Sequence, residues 1–166
     1  MRLLFDYKKL LMIPHLVHRH QPLHLAGITT RTTNAAEFSP ATAQIAPLWQ
    51  RFFAERVAQS VADYTPQSAL YGVYSRYASD ALGAFDLSAA VLATAVPEGL
   101  DAVTVPAGPY LVFEAQGPMP ATVIALWAAV WRYFQDQPAH PRGYASDFEE
   151  YSGEGRIAIS IGVLLP

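Results

Sequence analysis

The chain has 166 residues, of which 52% are apolar and 15% are charged, and its formal net charge is −3. This length and apolar content predict one folded domain and exclude a disordered chain. The sequence contains no cysteine, which excludes a disulfide framework and a thiolate metal site. It also contains no lysine–arginine cluster, which argues against nucleic acid as the main partner.

Residues 1–21 precede the first predicted strand, and we expect them to form a loosely attached extension. Asp6, Lys8 and Lys9 interrupt the apolar start of the chain, so it does not fit a signal peptide. No segment is long and apolar enough to predict a membrane span, and we expect a cytoplasmic location. We predict no metal site, because the histidines of this region fit no standard zinc spacing: His15, His18, His20 and His24. We also predict no cofactor.

The first half of the remaining chain reads as strand, helix, strand, strand. Residues 23–33 are rich in threonine and apolar residues, which favours a strand, and 34–43 are loop-like. Apolar residues at helical spacing predict a helix over 45–57 that begins near Pro47. Two further strands are predicted, over 68–77 and 85–96.

The second half repeats this order. We expect a strand over 102–115 that is interrupted at Pro106 and Pro109. The spacing of apolar residues predicts a helix over 123–134. Two strands follow, over 144–151 and 156–161, and the last alternates cleanly between apolar and polar residues.

A weak internal repeat relates the two halves. Three matched segments recur in the same order at offsets of 81, 78 and 77 residues: Ala26-Gly27 with Ala107-Gly108, 45–49 with 123–127, and 71–74 with 148–151. The sequence therefore predicts an α+β fold of duplicated β-α-β-β units with pseudo-twofold symmetry. Antiparallel sheets carry the two main helices in this fold. The domain spans 22–166, its halves are about 22–98 and 99–166, and we expect a crevice where they meet.

Several motifs together resemble the GyrI-like family, the effector-binding domains of AraC-type and MerR-type multidrug-sensing regulators, which includes stand-alone integron-associated members. The motifs occur in the expected order: Tyr74-x-x-Tyr77, Asp80-x-x-Gly83, Val105-Pro106-Ala107-Gly108-Pro109-Tyr110 with Phe113, Leu126-Trp127, and Asp147-Phe148-Glu149-x-Tyr151. The resemblance covers roughly 22–165. It implies a ligand pocket between the halves that binds lipophilic cations against an acidic residue, and it assigns that acidic role to Glu149.

The residues around Glu149 agree with such a site. Strand alternation places Glu149 and Tyr151 on one face, and the repeat aligns them with Gly72 and Tyr74. A glycine opposite a glutamate leaves open space beside the carboxylate, and aromatic side chains can hold a cation over their ring faces. The predicted ligand-binding residues are therefore Glu149, Tyr151, Tyr71, Tyr74, Tyr110, Trp127 and Gly72.

Other interpretations stay open at this point. Glu149 could pair with Arg142 or Arg156, and tryptophans on helix stripes, such as Trp49 and Trp127, usually belong to the core. The expected partners are small organic cations or lipophilic aromatic ligands, and no catalytic residue is assigned. Alternatives are a hydrolase of hydrophobic electrophiles that uses the pocket glutamate as acid or base, and a protein-interaction or inhibitor module. About 20 residues precede the domain, so we expect no nucleic-acid binding by this chain alone. The sequence does not indicate which oligomeric state the protein adopts.

Overall fold

The computed structural model describes residues 13–136 and 138–166. In these ranges the chain forms three α-helices, eight strands and one 3₁₀ turn at Ala58–Ser60. The strands are β1 (His15–Arg19), β2 (Leu23–Thr33), β3 (Leu70–Ser75), β4 (Ala84–Leu92), β5 (Asp101–Val105), β6 (Gly108–Gln116), β7 (Arg142–Tyr151) and β8 (Arg156–Val163). The helices are α1 (Asn34–Glu37), α2 (Ile45–Ala54) and α3 (Ala121–Gln135).

All eight strands belong to one antiparallel sheet in the order β1-β6-β8-β7-β3-β4-β2-β5. The units β2-α2-β3-β4 and β6-α3-β7-β8 repeat the same path, and they join where β3 pairs with β7. The predicted α+β fold and its duplicated β-α-β-β units are therefore confirmed. The predicted loop over 34–43 begins with α1, a single helical turn. Thr33 caps this turn, since its Oγ1 accepts a hydrogen bond from the Ala36 N–H.

The two outer strands exchange between the halves. β1 precedes β2 along the chain but pairs with β6, and β5 precedes β6 but pairs with β2. The expectation of a loosely attached extension is therefore wrong for residues 15–19, which form β1, because their pairing partner lies far along the chain. Residues 1–12 of that extension lie outside the described residues. The strand predicted over 102–115 is two strands that are separated by Pro106 and Ala107: β5 forms one edge of the sheet, and β6 lies next to the edge strand β1 on the opposite side.

A pseudo-twofold axis passes through one residue pair of the β3–β7 ladder. Gly72 lies directly opposite Glu149, and these two residues are also equivalent in the repeat, 77 positions apart. The flanking pairs Tyr71–Glu150 and Val73–Phe148 interchange under the same offset. This pair is therefore the place where both halves contribute equivalent backbone to one point.

The two faces of the sheet carry different cores. On one face, α2 buries Leu48 and Phe52 and α3 buries Leu126 and Val130 against the strands. The opposite face buries a cluster that includes side chains from β5 and β6 over the centre of β3 and β7. Trp49 of α2 and Trp127 of α3 meet the β3–β7 seam on the face that carries Glu149.

Candidate functional site

The carboxylate of Glu149 lies at the centre of the helix-bearing face. β7 alternates its side chains, so Glu149 and Tyr151 point towards the helices while Phe148 points to the opposite core. Only 3% of Glu149 is exposed. Three neutral groups donate to it: Tyr74 Oη at 2.8 Å and Trp127 Nε1 at 2.7 Å to Oε1, and Tyr151 Oη at 2.8 Å to Oε2.

No basic side chain in the described residues pairs with Glu149. Arg142 pairs with Asp147 and Arg156 pairs with Glu154, so the alternative in which either arginine neutralises Glu149 is not what the structure contains. Burial raises the pKa of Glu149 above its ordinary 4.5, and the hydrogen bonds from Trp127, Tyr151 and Tyr74 act in the opposite direction. The charge of Glu149 is therefore stabilised by the dipoles of its three neutral hydrogen-bond donors and not by a positive charge among the described residues.

The donor groups keep their protons. Burial beside Glu149 raises the pKa of both Tyr74 and Tyr151 well above its usual range, so both phenols remain neutral hydrogen-bond donors. The Trp127 indole N–H can only donate. The carboxylate therefore faces a fixed set of donors, which favours its ionised form relative to an equally buried group without them.

Gly72 gives Glu149 the space it occupies. A Cβ atom at position 72 would lie 2.6 Å from Glu149 Oε2 and 3.3 Å from Trp49 Cζ2. The first distance is far shorter than a van der Waals contact, so any larger residue would displace the carboxylate. The space that the missing side chain leaves is filled by the carboxylate itself, whereas the sequence analysis expected it to be open.

The aromatic side chains around the carboxylate follow the pseudo-twofold axis. Tyr74 and Trp127 meet edge to face at 5.1 Å between ring centroids, and their repeat equivalents Tyr151 and Trp49 do the same at 5.7 Å. Trp49 is the residue that the sequence analysis missed, since it was read as a core tryptophan. The repeat carried the signal, because Trp49 and Trp127 are the matching tryptophans of the two halves.

Two predicted residues lie elsewhere. Tyr71 and Tyr110 are buried in the core on the opposite face of the sheet, each against Phe148. Tyr71 neighbours Gly72 along β3, so strand alternation must turn it away from Glu149. Tyr110 instead donates its hydroxyl to the carbonyl of Pro106 at 2.7 Å. Their assignment to the site around Glu149 is therefore corrected.

A cavity of about 170 Å³ adjoins the carboxylate site. Glu149 does not line it directly, but Tyr74 and Trp127, which bind the carboxylate, form part of its wall. Its other aromatic walls are Tyr77, Phe85, Trp131 and Tyr144. Asn34 and Ala81 line the cavity and are joined by a hydrogen bond of 2.8 Å from Asn34 Nδ2 to the Ala81 carbonyl.

A second polar centre lies in the same cavity. Arg142 lines the cavity and donates from Nη2 to Asp147 Oδ2 at 2.6 Å. Tyr77 Oη donates to the same oxygen at 2.6 Å, and the Gly162 N–H donates to Oδ1 at 2.9 Å. Asp147 is thus paired with a base, whereas Glu149 is not. Sequence reasoning gave Asp147 no role and offered Arg142 only as a pairing partner for Glu149.

A family model for integron-associated effector binding proteins, Cass2, matches residues 20–163. The chain belongs to this family. The predicted resemblance to the integron-associated effector-binding type is thereby confirmed. None of the curated proteins that we compared matches the sequence significantly.

Three solved structures of related proteins cover nearly the whole chain. An integron cassette protein from the mobile metagenome of Vibrio cholerae is 36% identical, with a TM-score of 0.79 over 91% of this chain and 95% of its own. A proposed transcription regulation protein from Staphylococcus aureus is 25% identical, with a TM-score of 0.72 over 92% and 98%. SAV2435, solved with bound tetraphenylphosphonium, has the same identity and TM-score over 92% and 94%.

The family model places the chain among effector-binding proteins. None of the helices in residues 13–136 and 138–166 is long and apolar enough to cross a membrane. The expectations of a cytoplasmic location and of no nucleic-acid binding by this chain alone stay predictions.

Proposed function

We propose that this protein binds small organic cations in the aromatic cavity beside Glu149. The observation that carries the proposal is a buried carboxylate that has three neutral donors and no basic partner among the described residues. A buried anion without a counter-charge is costly, and a bound cation offsets that cost. The tetraphenylphosphonium bound to SAV2435 supports a lipophilic cation as the ligand class.

The rings that hold the carboxylate also form the cavity wall. Tyr74 and Trp127 donate to Glu149 Oε1, and a donor that binds an anion becomes richer in electrons at its ring. A cation over these ring faces gains on the order of 0.5–2 kcal/mol per contact. Glu149 thus acts on the ligand through Tyr74 and Trp127 as well as through its own field.

The size of the cavity sets a condition on larger ligands. Its volume of about 170 Å³ is below the range of roughly 300–1,000 Å³ that is usual for drug-sized molecules. Tetraphenylphosphonium therefore enters only if the wall moves. The Asn34–Ala81 contact is one hydrogen bond between two loop-proximal segments, and we propose that it opens.

The test compares tetraphenylphosphonium with tetraphenylborate, which has the same shape and the opposite charge. We expect saturable quenching of tryptophan fluorescence by the cation and none by the anion. In Glu149→Gln, affinity for the cation should fall on the order of tenfold, because the attraction between two unit charges roughly 10 Å apart is about 1.7 kcal/mol at an effective dielectric constant of about 20. Glu114→Gln is the matched control, since Glu114 is an exposed carboxylate on β6.

Equal binding of both ions, or an unchanged affinity in Glu149→Gln, would contradict the proposal. The hydrolase and interaction-module alternatives stay predictions. Product formation from a hydrophobic electrophile by the wild type, lost in Glu149→Gln, would favour the hydrolase.

A further inference from the structure

An exposed apolar line of side chains runs along the outer surface of α3. Leu126 and Val130 turn towards the sheet and are buried, whereas Ile124, Ala128 and Trp131 are exposed. Residues three and four positions apart lie on the same side of a helix, so the three exposed side chains follow one another along it. Ile124 is 65% exposed and Trp131 is 37% exposed. We call these three residues the α3 stripe.

One end of the α3 stripe belongs to the aromatic cavity. Trp131 lines that cavity, and it is also among the exposed large apolar side chains. Because this one side chain borders both the cavity and solvent, the cavity wall reaches the molecular surface at Trp131. From there the stripe continues along α3 to Ile124, over about two turns of helix or roughly 10 Å.

The shape of the α3 stripe suits a narrow apolar chain. Ala128 is a small residue between two large ones, which leaves a shallow dip in the surface at its position. Three side chains expose far less area than the roughly 800 Å² per partner that a stable protein interface buries. A single alkyl chain therefore matches the stripe better than a second protein molecule does.

The size of the cavity supports the same ligand shape. Its volume of about 170 Å³ is small for a drug-sized molecule, but the cavity needs to hold only the charged head of a ligand whose remainder lies outside. Such a ligand can leave the cavity at Trp131 and continue along the α3 stripe. All three side chains of the stripe are apolar, so an alkyl chain covers them without removing a charged group from water.

We propose that the protein binds amphiphilic cations, with a quaternary ammonium head in the cavity and an unbranched alkyl tail along the α3 stripe. This inference rests on the proposed function, since it assumes the cation site beside Glu149. It adds a subsite for the uncharged part of the ligand, and it assigns Ile124 and Ala128 the role of setting the preference for tail length.

The test measures the affinity for butyl-, hexyl-, octyl- and decyltrimethylammonium by calorimetry, each below its critical micelle concentration. In the wild type, affinity should rise about twofold for each added methylene, because a half-covered methylene gains about half of the free energy of full burial. In Ile124→Gln, the ratio of decyl to butyl affinity should fall by at least about fourfold, the gain from two methylenes. Ile124 is exposed, so this variant should fold as the wild type does, which urea unfolding checks.

Leu92→Gln is the matched control, because Leu92 is an exposed apolar residue at the end of β4, and it should keep the wild-type ratio. The wild-type protein gives a second readout that needs no variant. In a methyl NMR spectrum, the Ile124 δ1 resonance should shift at saturation with the decyl compound and stay in place with the butyl compound.

Three results would overturn the inference: an affinity that does not depend on tail length, an unchanged ratio in Ile124→Gln, or an Ile124 resonance that the decyl compound does not move. Ligand-free dimerisation that Ile124→Gln abolishes would also overturn it, and would assign the α3 stripe to a second copy of the chain. If tetraphenylphosphonium binds while tail length has no effect, this inference alone fails. If neither tetraphenylphosphonium nor any ammonium ion binds, the proposed cation site fails with it.

Discussion

Two buried carboxylates lie two residues apart on one face of β7, and their surroundings differ. Asp147 is bonded to Arg142 and to the Tyr77 hydroxyl, so its charge is balanced inside the protein. Glu149 receives three hydrogen bonds from neutral groups and has no base beside it. The proposed cation site therefore depends on Glu149 and not on Asp147, because only the charge of Glu149 is not balanced by a basic side chain of the described residues.

The first prediction concerns the pH dependence that Glu149 creates. Burial raises the pKa of Glu149 above 4.5, so the carboxyl group stays protonated to a higher pH in the folded state than in the unfolded one. A cation prefers the ionised form. We therefore expect affinity for tetraphenylphosphonium to fall as the pH decreases through this raised pKa, by roughly tenfold in total, the loss expected for the neutral Glu149→Gln.

Folding stability should change in the opposite direction. A raised folded-state pKa stabilises the protein below the unfolded value of 4.5, and this contribution is lost as the pH rises through the folded value. Urea unfolding and fluorescence titration across this window should thus give opposing trends. The difference between wild type and Glu149→Gln gives the contribution of this residue. If the affinity and the free energy of unfolding of Glu149→Gln depended on pH as they do in the wild type, Glu149 would not be the group that titrates.

At the element scale, the outer strands bind each half to the other. β1 pairs residue by residue with the start of β6, from His15 opposite Val112 to Arg19 opposite Gly108. β5 makes the equivalent pairing with β2. The guanidinium carbon of Arg19 also lies 5.7 Å from the ring centroid of Phe148, so β1 reaches the core on the face opposite Glu149.

The second prediction is that β1 is required for stability. A chain that begins at Pro22 should unfold at lower urea concentration than one that begins at Ile13. Its free energy of unfolding should be lower by at least ~2 kcal/mol, because several ladder hydrogen bonds of about 1 kcal/mol each are lost. The exposed edge of β6 should also promote self-association, which light scattering measures. Equal stability and equal solubility of the two chains would show that β1 is dispensable.

Some elements of the fold can be predicted from the sequence and others cannot. The helices α2 and α3 were predictable, because their apolar stripes recur at helical spacing. β1 was not, since its partner β6 is distant in the chain and the polar pattern of residues 15–19 hides the pairing. Glu149, Tyr74, Tyr151 and Trp127 were found through the repeat and the family motif.

Other site features needed information that local patterns do not contain. Tyr71 was misplaced although alternation from Gly72 turns it away from the site, and Trp49 was missed although the repeat aligns it with Trp127. The pairing of Arg142 with Asp147 depends on the irregular path of β7, which the sequence does not reveal.

At the scale of the whole molecule, the pseudo-twofold axis explains why the site has a single glutamate. Gly72 and Glu149 are equivalent residues that also face each other, so a glutamate at both positions would place two carboxylates at one point. With a Cβ at position 72 only 2.6 Å from Glu149 Oε2, there is room for one side chain. Duplication supplied matching aromatic walls, and the axis permits one acid between them.

The third prediction follows from this symmetry: the acid should work from either half. Glu149→Gly alone should weaken cation binding by at least the roughly tenfold expected for Glu149→Gln. The double variant Gly72→Glu/Glu149→Gly should recover an affinity within about threefold of wild type, because the new carboxylate meets the equivalent set of Tyr151, Trp49 and Tyr74. The Cζ2 atom of Trp49, which lies beside the N–H edge of the indole, already faces position 72.

Gly72→Glu alone should be strongly destabilised, since two carboxylates then compete for one space. Fluorescence titration with tetraphenylphosphonium decides the outcome, and a double variant that unfolds cooperatively but binds no cation would show that the two halves are not interchangeable at the axis.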